Sequence, residues 1–304
     1  MMKDLVSIKD ITREQIDSIL STAASFKAVL RRDIKKVPAL RGKTVVNLFF
    51  EPSTRTKTSF ELAEKRLSTD VINFSVPTSS VVKGETLLDT VRTIESYGVD
   101  YIVIRHSSSG VPHFIANNTQ ASVVNAGDGT NEHPTQALLD AFSILDKKET
   151  LDGLKIAIVG DVHHSRVAKS NIYLFSNFAS EIRLVGPPTL VPEFKNYKLN
   201  YFNKIEDGIE GADVVMMLRI QSERMTRGFF PSTLEYANLW GLNASRLKLA
   251  DRNAIVMHPG PMNRGIEISS DVADSDQSII LEQVTNGLAV RMAIIYLLGR
   301  HYEQ

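Results

Sequence analysis

The sequence predicts an α/β protein with two doubly wound domains, each a mostly parallel sheet flanked by helices. Short continuous apolar runs alternate along the chain with stretches of helical periodicity. This pattern is typical of buried parallel strands joined by helices. The 304 residues exceed the usual length of one domain,. Because ligands of such sheets bind at the carboxyl ends of the strands, motifs that directly follow strands are the first candidates for a site.

The first half of the chain opens with a predicted helix. Thr12 and Gln15 have the capping-box spacing, and apolar residues at helical spacing follow them,. Further strands are predicted at 44–50, 71–75, 101–105 and 122–126, and further helices at 54–67, 86–97 and 134–147. Pro134 suits the first position of the last of these helices.

The second half repeats the alternation. Strands are predicted at 155–159, 181–185, 213–218 and 254–257, and helices at 164–178 and 278–298. The polar segment 147–153 separates the halves. We therefore predict a first domain over residues 1–148, a second over 149–289, and a terminal segment, 290–304, that packs back on the first.

Composition narrows the class of protein. Lys plus Arg and Asp plus Glu both number 35, and this zero net charge argues against a nucleic-acid partner,. The absence of cysteine excludes disulfides, thiolate metal sites and cysteine nucleophiles,. Charges interrupt the N-terminal segment, and the apolar stretch 287–299 is too short to span a bilayer,. We expect a soluble cytoplasmic protein without a membrane partner.

The first strand is followed by hydroxyls and a cation at a helix start. Ser53, Thr54 and Thr56 bring hydroxyls, and Arg55 brings a fixed positive charge,. Free N–H groups and the helix dipole favour an anion at this position. Ser and Thr are also ordinary helix caps, but three hydroxyls with an arginine favour a phosphate site.

These residues carry a family resemblance. Ser53-Thr-Arg-Thr56, followed by Ser59-Phe-Glu61, resembles the carbamoyl-phosphate motif of the carbamoyltransferases, a family that includes aspartate and ornithine enzymes. The resemblance covers nearly the whole chain. It implies that the first domain binds carbamoyl phosphate, that the second binds the amine substrate, and that the active site lies in the cleft between the domains.

A loop lysine points to the branch of the family that uses aspartate. Lys83-Gly-Glu85 resembles the mobile loop of that branch, in which this Lys and a Ser four residues earlier reach into a neighbouring subunit. The resemblance therefore implies that Ser79 and Lys83 bind carbamoyl phosphate, that Lys83 also contacts aspartate, and that the protein is a homotrimer with shared sites. Apart from the resemblance, a solvated loop lysine is the commoner situation.

Three further residues match the carbamoyl-phosphate site. Arg105 ends a predicted strand, and His133-Pro-Thr-Gln136 opens a predicted helix. The resemblance implies that Arg105 and His133 hold the carbonyl oxygen together with Thr56, and that Gln136 orients the carbamoyl nitrogen. An isolated histidine or arginine would more often be structural.

The second domain carries the candidate aspartate site. Arg166 matches an arginine that the family places against a carboxylate of aspartate, and Arg219 and Gln221 match the family's aspartate-binding loop. Main-chain oxygens at Gly260 and Pro261 match those that position the amine, although one common form of the aspartate enzymes has Leu where Gly260 stands. The single glycine after the strand 155–159 is not a GxGxxG motif and gives little support to a dehydrogenase.

The implied reaction is transfer of the carbamoyl group to the α-amino group of L-aspartate, a transferase step of de novo pyrimidine biosynthesis. Residues Arg55, Thr56, Lys83, Arg105 and His133 would be catalytic. Segment 219–227 holds three arginines and one glutamate, which favours a dicarboxylate over ornithine,. The alternatives are another carbamoyltransferase, such as the ornithine enzyme, and a non-catalytic anion-binding module, which would consume no carbamoyl phosphate. No cofactor and no metal are implied, and the sequence gives no prediction about regulatory chains.

Overall fold

A computed structural model describes residues 2–75, 86–220 and 232–299. The first half of the chain contains α1 (Arg13–Leu30), β1 (Thr44–Phe49), α2 (Thr54–Arg66), β2 (Asp70–Ser75), α3 (Leu87–Glu95), β3 (Tyr101–His106), α4 (Val111–Ala116), β4 (Ser122–Asp128) and α5 (Pro134–Lys148). The second half contains β5 (Lys155–Val159), α6 (Arg166–Phe175), β6 (Glu181–Val185), β7 (Leu199–Phe202), α7 (Ile205–Ile209), β8 (Val214–Met217), α8 (Thr233–Trp240), α9 (Ala244–Leu247), β9 (Ile255–Met257), α10 (Ser270–Ala273) and α11 (Ile280–Gly299).

The chain divides into two compact units. Residues 1–142 and 285–304 form the first unit, and residues 143–284 form the second. The divisions fall within α5 and α11. No helix in the described part of the chain is both long and apolar enough to cross a membrane.

A four-stranded parallel sheet forms the centre of the first unit. Its strand order is β2-β1-β3-β4, and every pairing in it is parallel. The inner strands β1 and β3 are almost entirely apolar and buried, which is why their sequences are continuous apolar runs. Helix α1 begins with the predicted capping box between Thr12 and Gln15.

A five-stranded parallel sheet forms the centre of the second unit. Its order is β7-β6-β5-β8-β9. The predicted fold class, two parallel α/β domains flanked by helices, is confirmed. Strand β7 was not predicted, because it has only four residues, lies at the edge and is largely exposed,. The short helices α4, α7, α8, α9 and α10 were also missed.

A buried carboxyl lies on the inner face of α2. Glu64 is fully buried and accepts a hydrogen bond of 2.8 Å from Asn47 Nδ2 of β1. Burial raises the pKa of Glu64 from 4.5 to about 8, against the opposing effect of the Asn47 hydrogen bond. The side chain is therefore mostly neutral at pH 7, and its ionisation at higher pH puts a charge between the helix and the sheet.

Replacing Glu64 by glutamine is expected to stabilise the protein increasingly as the pH rises. Because the folded-state pKa lies above the unfolded value, the contribution of the protonated carboxyl is complete below pH 4.5 and is lost progressively up to about pH 8. The loss amounts to about 1.4 kcal/mol per pH unit. The Tm of Glu64→Gln should be close to that of the wild type at about pH 5 and well above it at about pH 8.

Glu61 on the same helix provides the control. It pairs with Lys65 at 2.6 Å, and the Lys65 hydrogen bond lowers the pKa of Glu61. Because its stabilising effect is already complete above about pH 4.5, the Tm difference between Glu61→Gln and the wild type should stay constant from about pH 5 to 8,. A constant difference in Tm between Glu64→Gln and the wild type across this pH range would contradict the interpretation.

Candidate active site

Three adjacent strands of the first sheet end at predicted substrate-binding residues. Ser53 follows β1, Arg105 lies near the end of β3, and His133 follows β4. These strands are neighbours in the order β1-β3-β4 and run parallel. Their carboxyl ends therefore lie at one edge of the sheet, as the sequence led us to expect.

The start of α2 is suited to an anion. Ser53 is the N-cap residue, yet its side chain makes no capping hydrogen bond in the described part of the chain. Thr12 of α1 and Thr86 of α3 do make such bonds. The first turn of α2 contains Arg55 and no acidic residue. The first N–H groups of α2 and its positive dipole end thus favour an anion.

Arg105 brings a cation to the first turn of α2. Its Nη1 lies 3.5 Å from Thr56 Oγ1 and 3.5 Å from the carbonyl oxygen of Ala126, and its Nε donates to Glu51 Oε2 at 3.1 Å. Sequence reasoning missed Glu51, although it lies within the phosphate motif. Because Glu51 is paired with Arg105, an arriving anion competes with this carboxylate for the guanidinium.

The next residue along β3 is a neutral histidine. The ring of His106 lies against that of Phe50, with centroids 4.9 Å apart. Burial lowers the pKa of His106, and the nearby Glu51 only partly opposes this effect. The imidazole is therefore neutral at pH 7, which leaves Arg105 as the cation at this end of β3.

The turn before α5 is held by buried carboxylates. Asp128, fully buried at the end of β4, accepts four hydrogen bonds of 2.7–3.0 Å, among them one from Gly110 N and one from Glu132 N. Glu132 in turn accepts from Ser7 Oγ and Ile8 N. This network fixes the backbone immediately before His133.

His133 and Gln136 lie at the start of α5. His133 is only 4% exposed, and its Nδ1 lies 3.4 Å from Thr135 Oγ1. Gln136 donates through Nε2 to Asp140 Oδ1 at 3.0 Å. The sequence analysis did not single out Asp140, which lies one helical turn after Gln136 and is fully buried.

Two predicted aspartate ligands follow neighbouring strands of the second sheet. Arg166 is the first residue of α6, which follows β5, and Arg219 follows β8; β5 and β8 pair in parallel. Arg166 is only 5% exposed. Ser165 caps α6 by accepting from Ala168 N at 3.1 Å, which explains why the helix begins two residues later than predicted.

Asp161 fixes the turn between β5 and α6. It is fully buried and accepts from His164 N at 3.1 Å and from His164 Nδ1 at 2.9 Å. The two groups lock the loop that leads to Arg166, so the arginine is held in a preorganised position.

The turn after β9 is fixed by a buried histidine. His258 Nδ1 accepts from Gly260 N at 2.8 Å, so the ring proton lies on Nε2, which contacts Glu267 Oε1 at 3.2 Å,. Gly260 has φ 62°, in the left-handed region that glycine tolerates,. The peptide bond between Gly260 and Pro261 is cis. A leucine at position 260 would be strained in this conformation.

The structure thus groups the predicted residues at two sheet edges. The first unit brings together Ser53, Thr54, Arg55, Thr56, Arg105, His133 and Gln136. The second brings together Arg166, Arg219, Gly260 and Pro261. Ser79, Lys83 and Gln221 lie outside the described residues.

The comparison with protein families matches both halves of the chain. Residues 3–146 match the family described as aspartate/ornithine carbamoyltransferase, carbamoyl-P binding domain. Residues 152–298 match aspartate/ornithine carbamoyltransferase, Asp/Orn binding domain. The chain belongs to the aspartate/ornithine carbamoyltransferase family.

Individual relatives are similar over nearly the full length. The aspartate carbamoyltransferase catalytic subunit of Sorangium cellulosum is 57% identical over 98% of this chain and 93% of that protein. The aspartate transcarbamoylase of Trypanosoma cruzi, solved with N-(phosphonacetyl)-L-aspartic acid, gives a TM-score of 0.89 at 32% identity, over 97% of this chain and 95% of that one. The catalytic subunit of the M. jannaschii enzyme gives a TM-score of 0.87 at 37% identity, over 99% of both chains.

Proposed function

We propose that this protein transfers the carbamoyl group from carbamoyl phosphate to the α-amino group of L-aspartate, giving N-carbamoyl-L-aspartate and phosphate in de novo pyrimidine biosynthesis. The observation that carries the proposal is the start of α2, without an acidic residue in its first turn and with the Arg105 guanidinium 3.5 Å from Thr56 Oγ1. The choice of aspartate is supported by relatives named for that substrate and by a solved Trypanosoma cruzi relative in complex with carbamoyl phosphate and aspartate.

The first unit binds carbamoyl phosphate in this proposal. The phosphate accepts hydrogen bonds at the start of α2 and is closed over by Ser79 and Lys83. Its proposed ligands at the helix are Ser53, Thr54, Arg55 and Thr56. Glu51 releases Arg105 when the dianion competes for the guanidinium, which turns a resting ion pair into a substrate contact,.

Arg105, His133 and Thr56 polarise the carbonyl group. As the amine attacks the carbonyl carbon, negative charge grows on the carbonyl oxygen, and preformed donors stabilise that charge. Gln136 orients the carbamoyl nitrogen. The bond between the carbonyl carbon and the phosphate oxygen then breaks, and the leaving phosphate accepts the amine proton. No protein group has to act as the base.

The second unit binds aspartate. Arg166, Arg219 and Gln221 hold the two carboxylates, and the main-chain oxygens at Gly260 and Pro261 orient the amine, with Lys83 as a further contact. Holding two repelling anions in register requires several cations, and much of the rate gain follows from that alignment.

Turnover separates this proposal from a non-catalytic anion-binding module. Purified protein is incubated with carbamoyl phosphate, with and without aspartate, and released phosphate is measured. Phosphate release that depends on aspartate supports the proposal. Binding of carbamoyl phosphate without aspartate-dependent release would favour the binding module.

We further propose a cytoplasmic homotrimer whose sites combine residues of two subunits, because Lys83 matches the loop that is shared in the family. If so, inactive Arg55→Ala and inactive Lys83→Ala proteins regain activity when their subunits exchange. Random hybrids restore about one quarter of the sites, because each intact site needs one subunit of each kind in the correct order. Subunits of one variant mixed with themselves are the control, and inactive hybrids of verified composition would contradict sharing.

A further inference from the structure

A buried arginine in the first unit joins α11 to α2. Arg291 is 5% exposed, and its Nη1 donates to Ser59 Oγ at 2.9 Å. Its guanidinium lies 5.1 Å from the ring centroid of Phe60. Helix α11 has a glycine one turn earlier, and a Cβ at Gly287 would lie 2.6 Å from Arg291 Nη1. The helix thus keeps a residue of low helix propensity where the guanidinium needs room.

Arg291 is charged and is influenced by the charge of Asp140. Burial lowers the pKa of Arg291 to about 10, and the attraction of Asp140 opposes this effect. At pH 7 the guanidinium therefore keeps its proton. Asp140 is itself fully buried, on the α5 turn after Gln136. A buried guanidinium is strongly unfavourable in the interior, and the attraction of Asp140 offsets part of this cost,.

The carboxylate determines how the Gln136 amide is turned. Gln136 Nε2 lies 3.0 Å from Asp140 Oδ1. The amide presents its NH₂ group to the accepting Asp140 oxygen,. The amide oxygen, Oε1, is then left to accept a hydrogen bond from a substrate N–H. With the opposite orientation, Gln136 would offer a donor to the carbamoyl NH₂ group, which is itself a donor.

We propose that Asp140 is a positioning residue that fixes the Gln136 amide with its oxygen toward the carbamoyl nitrogen. This inference rests on the role proposed above for Gln136. Through Ser59, the same Arg291 contacts α2, the helix that carries the phosphate site.

Stability alone is a poor explanation of this cluster. Buried ionisable side chains are often no more stabilising than apolar side chains of similar size. Gln136 lies at the carboxyl end of the sheet, where water could accept its hydrogen bond. Its hydrogen bond to Asp140 is therefore not needed to satisfy the amide. A positioning role accounts for both features.

A double-mutant cycle between Asp140 and Gln136 tests the proposal. Asp140→Asn permits the amide to turn either way, because the asparagine offers both an oxygen and an NH₂ group. We expect kcat/KM for aspartate to fall about tenfold when Gln136 is present, and less than about twofold when Gln136→Ala is already in place. The loss should appear in kcat, with the Kd for inorganic phosphate unchanged.

Two further variants keep the test decisive. Leu138→Val removes buried volume from the same helix and should lower Tm while leaving kcat/KM unchanged,. If Asp140→Asn does not fold, Arg291→Lys replaces it, because lysine keeps the charge but loses the planar fork; the same non-additivity with Gln136→Ala is expected. Equal losses in both Gln136 backgrounds, or full activity of Gln136→Ala, would overturn this inference. Turnover by the wild-type protein would leave the proposed function intact. A wild-type protein without turnover would contradict the proposed function itself.

Discussion

Replacing Arg105 by alanine is expected to lower kcat by about 10²–10³-fold, the usual loss when one preorganised donor to a developing oxyanion is removed. Arg105 lies at the end of β3 with its guanidinium 3.5 Å from Thr56 Oγ1, and we place the carbonyl oxygen of carbamoyl phosphate on it. Because this charge grows during attack, the loss should fall on kcat more than on KM. Steady-state kinetics with both substrates measure the separate effects on kcat and KM.

The matched control is an arginine of the second sheet. Arg183 is also a strand arginine of low exposure, and it pairs with Glu181 at 2.8 Å as Arg105 pairs with Glu51 at 3.1 Å. Arg183→Ala should lower Tm and leave kcat unchanged. Arg105→Lys should recover little activity, because a lysine lacks the fork geometry. Near-normal kcat in a folded Arg105→Ala protein would remove Arg105 from the mechanism.

Replacing Arg166 by alanine is expected to raise KM for aspartate by about 100-fold, as expected when a charged hydrogen bond to a carboxylate is lost in a buried position. Arg166 is 5% exposed at the first turn of α6, directly after the loop locked by Asp161. The Kd for carbamoyl phosphate should not change, because that substrate is assigned to the first unit. Aspartate titrations and direct binding of carbamoyl phosphate test the two statements separately.

Lys169→Ala is the companion variant, since it removes a cation from the same helix one turn along. It should leave KM for aspartate unchanged. If Arg166→Ala instead weakened carbamoyl phosphate and left the aspartate KM alone, the assignment of substrates to the two units would be wrong.

The central strands could be predicted because their burial on both faces requires a run of apolar residues, which is visible in the sequence. Strands β1, β3 and β5 are covered on both faces and therefore consist mainly of apolar residues,. Strand β7 has no such run, since Asn200 and Tyr201 within it are exposed. The ends of helices are set by capping residues. The hydroxyl of Ser165, for example, sets the start of α6.

The candidate site was predicted as far as its direct ligands. Hydroxyls, arginines and a histidine directly after strands form recognisable motifs in the sequence. The side chains that position these ligands form no such motifs, because they meet the ligands only through tertiary contacts. Arg291 lies 151 residues beyond Asp140 along the chain (291 minus 140) and meets α2 through Ser59. Glu51 lies inside a motif, but only the structure pairs it with Arg105.

Identification of the product tests the central claim most directly. The purified wild-type protein is incubated with carbamoyl phosphate and with aspartate or ornithine in separate reactions, and the products are resolved. We expect N-carbamoyl-L-aspartate from aspartate and no citrulline from ornithine. Citrulline as the product, with aspartate left unreacted, would contradict the assignment of Arg166 and Arg219 to a dicarboxylate substrate and with it the proposed reaction.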